Sequence, residues 1–465
     1  MGSAVGIGVL SGAALAGCGE AQVVEVIKEV PVEKIVTQVV EKAVVQEKIV
    51  EKIVTVPAAP AQKEAITLLV WYDEWPANPF WPDLFKEFKT THTNITVTGQ
   101  AIPWSEHEQK ILAGIAGGAV IDCVYTHPES NATMAAKGAL MPLDDFIARG
   151  ELDLGDFYPG ALDYYRFRGK ITGISYYSGP WLIYYNKDRI AEAGLEDPLA
   201  LSEKGQWTRD KYTEYAQKLT KGEGADKIFG ANRWYPQFDV SAPIMNGEGG
   251  EYFNEDATKT NINSDAGVRT FTWISDQVIK GWAPNPGDLA AFKAVPGGLF
   301  GSNKIGETIC AKYCLDDWKE APVKPYLGMV NMPVWTNGKE YTIDGPNGQG
   351  IFGGSKYKDE AWELLVYEAT RGNDIMMTEG YSGPTRKSLA RGAAWKATMR
   401  DWEVVEVYDH AAETVKAQYQ PPGYREITSL VNAAYDEIVT GMKTVKPALD
   451  EVAPKIDSIL KEMAS

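Results

Sequence analysis

The hydrophobic pattern changes period repeatedly between residues 66 and 138. Ile66–Tyr72 is an apolar run typical of a buried strand, Ile95–Ile102 has the alternating pattern of a strand, and Val120–Tyr125 is a further predicted strand. Amphipathic segments with helical spacing lie between and after them, at Phe80–Thr90, Glu106–Ala116 and Ala132–Lys137. Strands that alternate with helices predict a parallel sheet covered on both faces, with ligands beyond the carboxyl ends of the strands.

A second pattern, from Gly169 to Gly194, predicts a strand that is interrupted once. β-branched and aromatic residues run to Tyr177, Ser178–Gly179–Pro180 break the run, and it resumes from Trp181 to Tyr185. Such a strand can leave one domain, cross a gap and enter another. The pattern alone equally allows two ordinary strands joined by a tight turn.

Local spacing assigns several other residues to structure rather than to chemistry. Thr208 can cap a helix while Trp207 packs on Tyr212, and Trp362 has apolar neighbours at helical spacing. The segment 348–353 fits G-x-G-x-x-G, but it leads into apolar Ile351–Phe352 and not directly into a helix. A dinucleotide site is therefore not expected there.

The first 63 residues differ in composition from the rest. An uncharged apolar run from Ala4 to Gly17 is too short to span a bilayer and ends in Leu-Ala-Gly-Cys18. This ending resembles the lipobox of bacterial lipoproteins, although no Lys or Arg precedes the run. The resemblance implies a signal segment at 1–18 and a lipidated Cys18. Residues 19–63 repeat Val, Glu and Lys without a steady heptad and predict a low-complexity stalk, with a short coiled coil or β-ribbon as the alternative.

Composition and charge argue against several kinds of partner and activity. A net charge of −17 and a pI near 4.9 argue against nucleic acid and anionic membrane surfaces as partners. The four His have no metal-ligand spacing and no G-x-S-x-G motif is present, so we expect no cofactor, no metal and no enzymatic activity. Cys123 is expected to be buried. Cys310 and Cys314 could form a disulfide in an extracytoplasmic setting, but an extended Ile309–Leu315 would hold them too far apart.

The sequences of several segments resemble motifs of one protein family. GKITGISYYSGPWLIYYNKDRIAEAGL, KILAGIAGGAVIDCVY with GALMPLDDF, and GYSGPTRKS are similar to motifs of the extracellular solute-binding proteins of ABC importers, the maltose-binding-like group. The resemblance covers roughly residues 66–440. It implies an α/β, type II periplasmic-binding-protein-like fold, in which two lobes, each a mainly parallel sheet flanked by helices, share a hinge of three crossings. The expected lobes are 64–180 plus 332–372 and 181–331 plus 373–465.

The resemblance also implies a function. We expect a monomeric, lipid-anchored extracytoplasmic protein that captures a small hydrophilic ligand, favoured as a sugar or oligosaccharide, and delivers it to the ABC permease. One alternative is a polyamine, phosphate ester or ferric ion, but strand alternation points Tyr176 and Tyr177 to opposite faces, which disfavours them as joint metal ligands. A secreted carbohydrate-active enzyme is the other alternative.

A sugar site needs aromatic platforms and charged hydrogen-bonding groups. The candidates are Tyr72, Asp73, Trp75, Trp104, His127 and Glu129 in the first lobe, Tyr177 and Trp181 at the hinge, and Trp234, Glu248, Trp318, Tyr381 and Arg386 in the second. Trp75, Trp104, Trp234 and Trp318 are the expected platforms. Core packing is the alternative for each tryptophan.

Overall fold

The structure is a computed structural model that describes residues 64–74, 80–234, 236, 238–292, 298–317, 327–380 and 383–464. The sheets and helices below belong to the compact unit Ile66–Ser465. The predicted lipidation site Cys18 and the predicted stalk at 19–63 lie outside the described residues. Among the helices that the structure describes, none combines the length and apolarity that crossing a membrane requires.

The first sheet has five strands in the order β2-β1-β3-β11-β6. These strands are β1 (Ile66–Asp73), β2 (Ile95–Ile102), β3 (Cys123–Thr126), β6 (Ile174–Tyr177) and β11 (Asn347–Ile351). β1 runs parallel to β2 and β3, whereas β11 is antiparallel to both β3 and β6. The carboxyl ends of β1, β2, β3 and β6 therefore share one edge with the amino end of β11.

The second sheet has four strands in the order β10-β7-β9-β8. They are β7 (Leu182–Asn186), β8 (Phe229–Ala231), β9 (Ile305–Cys310) and β10 (Leu327–Val330). A small hairpin of β4 (Arg166–Phe167) and β5 (Lys170–Ile171) precedes β6. The prediction of α/β architecture with two sheets is thus confirmed, although each sheet is mixed because of its antiparallel strands.

Helices cover the faces of both sheets. Their bounds are α1 Phe80–Thr91, α2 His107–Ala116, α3 Pro128–Ala136, α4 Asp144–Ile147, α5 Pro159–Asp163, α6 Lys187–Glu192, α7 Pro198–Glu203, α8 Arg209–Leu219, α9 Phe238–Gly247, α10 Asp265–Ile279, α11 Pro286–Phe292, α12 Gly298–Gly301, α13 Cys314–Asp317, α14 Lys358–Tyr367, α15 Asn373–Thr378, α16 Lys387–Ala390, α17 Ala393–Ala397, α18 Val405–Thr414, α19 Tyr424–Val439 and α20 Val445–Ala464. Short 3₁₀ turns lie at Leu154–Asp156 and Gly224–Asp226, and a π-helical turn at Glu368–Gly372 joins α14 to α15.

The chain passes between the two sheets at the predicted interruption. β6 ends at Tyr177 in the first sheet and β7 begins at Leu182 in the second. The chain returns between β10 and β11, and it crosses again through α15, where Met376 packs in the core of the first sheet and Met377 in that of the second. The interpretation as one interrupted strand that crosses between domains is therefore confirmed, and the alternative of two neighbouring strands joined by a tight turn is not.

The three crossings contact one another around Ser178. The Asp344 carboxylate accepts hydrogen bonds from Ser178 Oγ (2.5 Å) and from the Gly179 amide (2.7 Å). The Trp181 amide donates to the Ile343 carbonyl at 3.0 Å, and the Gly383 amide donates to the Ser178 carbonyl at 2.9 Å. Burial raises the pKa of Asp344 to about 6, while its hydrogen bonds oppose that shift. Polar contacts thus hold the hinge together.

Aromatic residues fill the two cores. Trp81 and Trp362 are buried against the first sheet, and Trp207 is 1% exposed against the second. Trp207 lies 6.1 Å from Tyr212 between ring centroids, and Thr208 Oγ1 accepts from the Lys211 amide as an N-cap. The structural roles predicted for Trp207, Thr208 and Trp362 are confirmed.

The glycines at 348 and 350 belong to β11, not to a nucleotide loop. A Cβ at Gly350 would lie 2.6 Å from the Thr172 carbonyl oxygen, so the close strand packing requires glycine there. Nearby, α3 begins at Pro128, earlier than predicted, because proline at the first helical position suits a helix start.

The expectation for Cys310 and Cys314 is wrong. β9 ends at Cys310 and α13 begins at Cys314, so the intervening residues turn instead of remaining extended. The turn brings the two Cα atoms to 6.3 Å, within disulfide range, and the sulfurs are bonded. Cys123 is free and buried, as expected.

Candidate solute-binding cleft

The shared strand edge of the first sheet carries hydrogen-bonding groups. Asp73, the last residue of β1, is 3% exposed and accepts a hydrogen bond from Asn347 Nδ2 at 2.9 Å. Asn347 begins β11 and pairs with Tyr177 at the end of β6. Three strands distant in the chain therefore place polar side chains side by side, as strands that share one edge require.

Buried tyrosines surround this edge. Burial is the largest cause that raises the pKa of Tyr125, Tyr176 and Tyr177, and the charge of Asp73 raises each pKa further. The three phenols are consequently protonated at neutral pH and able to donate hydrogen bonds. Within the described residues, the Tyr125 and Tyr176 hydroxyls have no hydrogen-bond partner.

A second group of side chains lies at the carboxyl ends of β2 and β3. Trp104 is 47% exposed and stands edge-on to His127, with ring centroids 6.1 Å apart. His127 Nδ1 lies 3.6 Å from Glu129 Oε1. Trp104, which follows β2, is therefore a neighbour of His127 and Glu129, which follow β3.

Arg425 joins this group from the other side of the cleft. It belongs to α19, whose apolar residues pack in the core of the second sheet. Its guanidinium Nη2 lies 3.3 Å from Glu129 Oε2, its Nε lies 3.9 Å from Glu108 Oε2, and its Cζ stands 5.1 Å from the Trp104 ring centroid. We name Trp104, Glu108, Glu129 and Arg425 the inter-lobe cluster.

The histidines beside the inter-lobe cluster are neutral. Burial, followed by the positive charge of Arg425, lowers the pKa of His107 to about 3, and Ser130 Oγ lies 2.8 Å from its Nε2. Burial also lowers the pKa of His127 well below its ordinary value, with His107 and Arg425 contributing. Arg425 therefore supplies positive charge here, while the histidines supply only neutral ring nitrogens.

The hinge candidates line the junction between the sheets. Tyr177 is 4% exposed, and the backbone carbonyl of half-buried Trp181 accepts a hydrogen bond from Thr342 Oγ1 at 2.7 Å. Tyr72 packs on Trp81, with ring centroids 5.4 Å apart, and remains partly exposed near the same edge. Trp75, Trp318 and Tyr381 lie outside the described residues.

The surroundings of Trp234 contradict the prediction that it is a sugar platform. It is 1% exposed, with its Nε1 donating to the Tyr212 hydroxyl at 3.0 Å and Trp273 and Trp335 against its ring, so it is a core residue and not a sugar platform. Trp234 follows β8, and its indole turns into the aromatic core. The sequence pattern cannot show that direction.

Glu248 and Arg386 are likewise engaged in structural ion pairs. The Glu248 carboxylate is shared by Arg209 and by Arg269, whose Nε lies 2.9 Å from Glu248 Oε2. Arg386 Nη2 donates to Asp374 Oδ1 at 2.5 Å and to the Thr370 carbonyl at 3.1 Å. Their charged atoms bind the protein itself, as those of Glu129 and Arg425 do, and the role of Glu248 and Arg386 in solute binding stays a prediction.

Arg425 and Asn347 were missed because no local pattern distinguishes them. Asn347 bonds to Asp73, 274 positions earlier in the chain, and Arg425 contacts Trp104, 321 positions earlier. Among the described residues, no group of three His, Cys, Asp or Glu side chains is arranged to hold a metal ion. The arrangement suits a hydroxyl-bearing solute, which needs acceptors, donors and an exposed aromatic face.

Comparison with known families shows to which class of protein the chain belongs. The family described as bacterial extracellular solute-binding protein matches residues 73–373. This chain belongs to that family. It is an extracytoplasmic solute-binding protein of an ABC transporter, as the segment wording indicated.

Relatives with binding functions extend over much of this solute-binding protein. A binding protein of Brucella abortus (strain 2308) is 25% identical over 83% of this chain and 90% of its own length. The sn-glycerol-3-phosphate-binding periplasmic protein of Agrobacterium fabrum is 22% identical over 72% and 78% of the two chains. The mannitol-binding protein of Pseudomonas aeruginosa is 26% identical over 37% and 38%.

Solved structures share its fold. The ABC substrate-binding protein of Listeria monocytogenes in complex with cycloalternan superposes with a TM-score of 0.73 at 22% identity, covering 85% of this chain and 99% of that one. The sugar-binding protein MalE of Xanthomonas citri gives a TM-score of 0.74 at 18% identity, with 86% and 98% covered. The fold is therefore the two-lobed type II periplasmic-binding-protein fold.

Proposed function

We propose that the solute is a neutral sugar, oligosaccharide or polyol held between the lobes. The observation that carries this proposal is the charge balance of the strand edge. Asp73, Glu108 and Glu129 are carboxylates, His107 and His127 are neutral, and the guanidinium of Arg425 already faces two of the carboxylates. Hydroxyl groups bind well to carboxylates and to protonated tyrosines.

A phosphate ester is the second candidate, because one relative is named for sn-glycerol-3-phosphate. A dianionic phosphate needs cationic or backbone N–H donors, and the described part of the strand edge offers Arg425 alone among charged donors. Occupation of that guanidinium by Glu129 and Glu108 favours the neutral solute.

A thermal-shift screen separates these candidates. Maltose, mannitol, sn-glycerol 3-phosphate and spermidine would each be added to the purified protein, since a ligand that binds only the folded state raises the melting temperature. The proposal expects a rise with a neutral sugar or polyol. A rise with sn-glycerol 3-phosphate or spermidine alone would refute it.

Three further parts of the proposal concern the cell. The lobes 64–180 plus 332–372 and 181–331 plus 373–465 deliver the solute as a monomer to the permease. Cys18 carries the lipid anchor, so Cys18→Ala should release the protein into the soluble extracytoplasmic fraction, and retention on the membrane would exclude that anchor. The protein has no hydrolytic activity: incubation with oligosaccharides should yield binding without product sugars.

A further inference from the structure

The five-residue segment Cys310–Cys314 contacts the hinge although its residues belong to the second sheet. β9 ends at Cys310, α13 begins at Cys314, and the disulfide closes the turn between them. We name residues 310–314 the disulfide loop. So short a closed loop stabilises the folded chain by about 2 kcal/mol, the low end of the usual range for disulfides, and this general effect does not account for the position of the loop against the hinge.

The middle of the disulfide loop is anchored in the second lobe. Lys312 is 4% exposed, and its Nζ lies 2.6 Å from Glu403 Oε1. The ammonium also stands 5.1 Å from the Trp395 ring centroid and 5.4 Å from that of Tyr408. Tyr408 in turn donates its hydroxyl to Glu403 at 2.8 Å. The loop therefore has one fixed point, deep in the second lobe.

The residues on either side of Lys312 face the hinge. Ala311 is fully buried, and a Cβ placed on Gly179 would lie 3.3 Å from the Ala311 Cβ. Tyr313 packs against the core clusters of both sheets, and its phenol is among the groups that raise the pKa of Tyr177. Any shift of the disulfide loop would therefore change the packing at the first crossing between the sheets.

We propose that the Cys310–Cys314 disulfide is a redox-sensitive clamp that holds this loop against the hinge. In the oxidised protein the clamp keeps Ala311 and Tyr313 seated beside Gly179 and Tyr177. Reduction frees the loop, loosens the first crossing and lowers the tendency of the lobes to close. This inference concerns the hinge and stands whichever solute the cleft binds.

The chemistry is thiol–disulfide exchange with a small dithiol or a C-x-x-C protein as reductant. Cys314 is half-buried and Cys310 is buried, so the external thiolate attacks the Cys314 sulfur and Cys310 leaves as thiolate. The second thiol of the reductant then resolves the mixed disulfide. Two electrons and two protons pass to the protein, which ends as two thiols, while the reductant ends as a disulfide.

Hydrogen exchange at the hinge amides tests the clamp. The Gly179 and Trp181 amides are bonded to Asp344 and Ile343 across two crossings, so their exchange reports opening there. Treatment with dithiothreitol should raise their exchange rates about tenfold, which corresponds to about 1.4 kcal/mol. The amides of β1, an interior strand of the first sheet, should be unchanged.

Matched variants make the result decisive. Cys310→Ser/Cys314→Ser should show fast hinge exchange without reductant and no response to it, whereas Cys123→Ser should behave as the wild type. Unchanged hinge exchange in wild-type protein whose two thiols are shown by alkylation to be free would overturn the clamp. Faster exchange throughout both sheets would also overturn it, because the disulfide would then serve global stability. Should the double variant not fold, reduction of the folded wild type still decides the matter.

Discussion

Replacing Arg425 with methionine should favour the open arrangement of the lobes. In the structure its guanidinium reaches from α19 to Glu129, Glu108 and the Trp104 ring of the other lobe. Methionine keeps much of the length and apolar contact but removes the charge. The change therefore isolates the electrostatic part of the inter-lobe cluster.

The magnitude follows from the geometry. Two unit charges 3.3 Å apart would attract by about 5 kcal/mol at an effective dielectric constant near 20. Because the Arg425 side chain is 29% exposed and that of Glu129 is 16% exposed, solvent and side-chain entropy reduce this to about 1 kcal/mol. The cation–π contact adds about 0.5–1 kcal/mol. A loss of about 1–2 kcal/mol shifts the closed-to-open ratio about 5- to 30-fold.

Small-angle scattering of the solute-free protein measures this shift as a larger radius of gyration. Lys280→Met is the matched control, because Lys280 also pairs with a carboxylate (Asp276, 2.7 Å) and stands over a tryptophan ring (Trp282, 5.1 Å), but within one lobe. High salt should expand the wild type and leave Arg425→Met unaffected. Equal radii for Arg425→Met, Lys280→Met and wild type would refute the reasoning.

The other predictions concern single side chains. Trp104→Ala should weaken sugar binding by about 1–3 kcal/mol with a near-normal melting temperature, because the ring is exposed. Trp234→Ala should cost about 3–5 kcal/mol of unfolding free energy in a denaturant titration, because the ring is buried. The opposite pattern would restore Trp234 as a sugar platform. Burial raises the pKa of Glu307 above its ordinary 4.5, so the folded protein keeps a proton that the unfolded chain releases, and stability falls as pH rises above that value. Glu307→Gln should therefore raise the melting temperature at pH 8 and have a vanishing effect near pH 4; a gain independent of pH would contradict this. Lys312→Met should cost up to about 3–5 kcal/mol of unfolding free energy, because fully buried Glu403 loses the nearer of its two cations and keeps Arg400, whose Nη1 lies 3.3 Å from Oε2. An added Glu403→Leu should restore much of the loss.

The first strands and helices could be predicted from the sequence because their signals are local, whereas the two-lobed arrangement was expected from the family resemblance. The period of the apolar residues located β1, α1 and β2 within a residue or two. The break at Ser178–Pro180 marked the first crossing, because glycine and proline interrupt strands for reasons that depend only on the backbone.

The site was less predictable because side-chain direction and long-range partners decide it. Trp234 follows a strand as a ligand residue would, but its indole joins an aromatic core formed by α8, α10 and Trp335. Arg425 has no neighbouring motif, and only the packing of α19 across the cleft gives it Glu129 as a partner. The disulfide was disfavoured because an extended backbone was assumed where the chain turns.

The central claim is that a neutral hydroxylated solute closes two lobes about the hinge at Ser178–Trp181. Small-angle scattering of the wild-type protein, with and without the sugar or polyol that raises its melting temperature most, tests that claim most directly. Ligand contacts with both lobes should stabilise the closed form, so the account predicts a fall in the radius of gyration at saturation. An unchanged radius at saturating solute would contradict it.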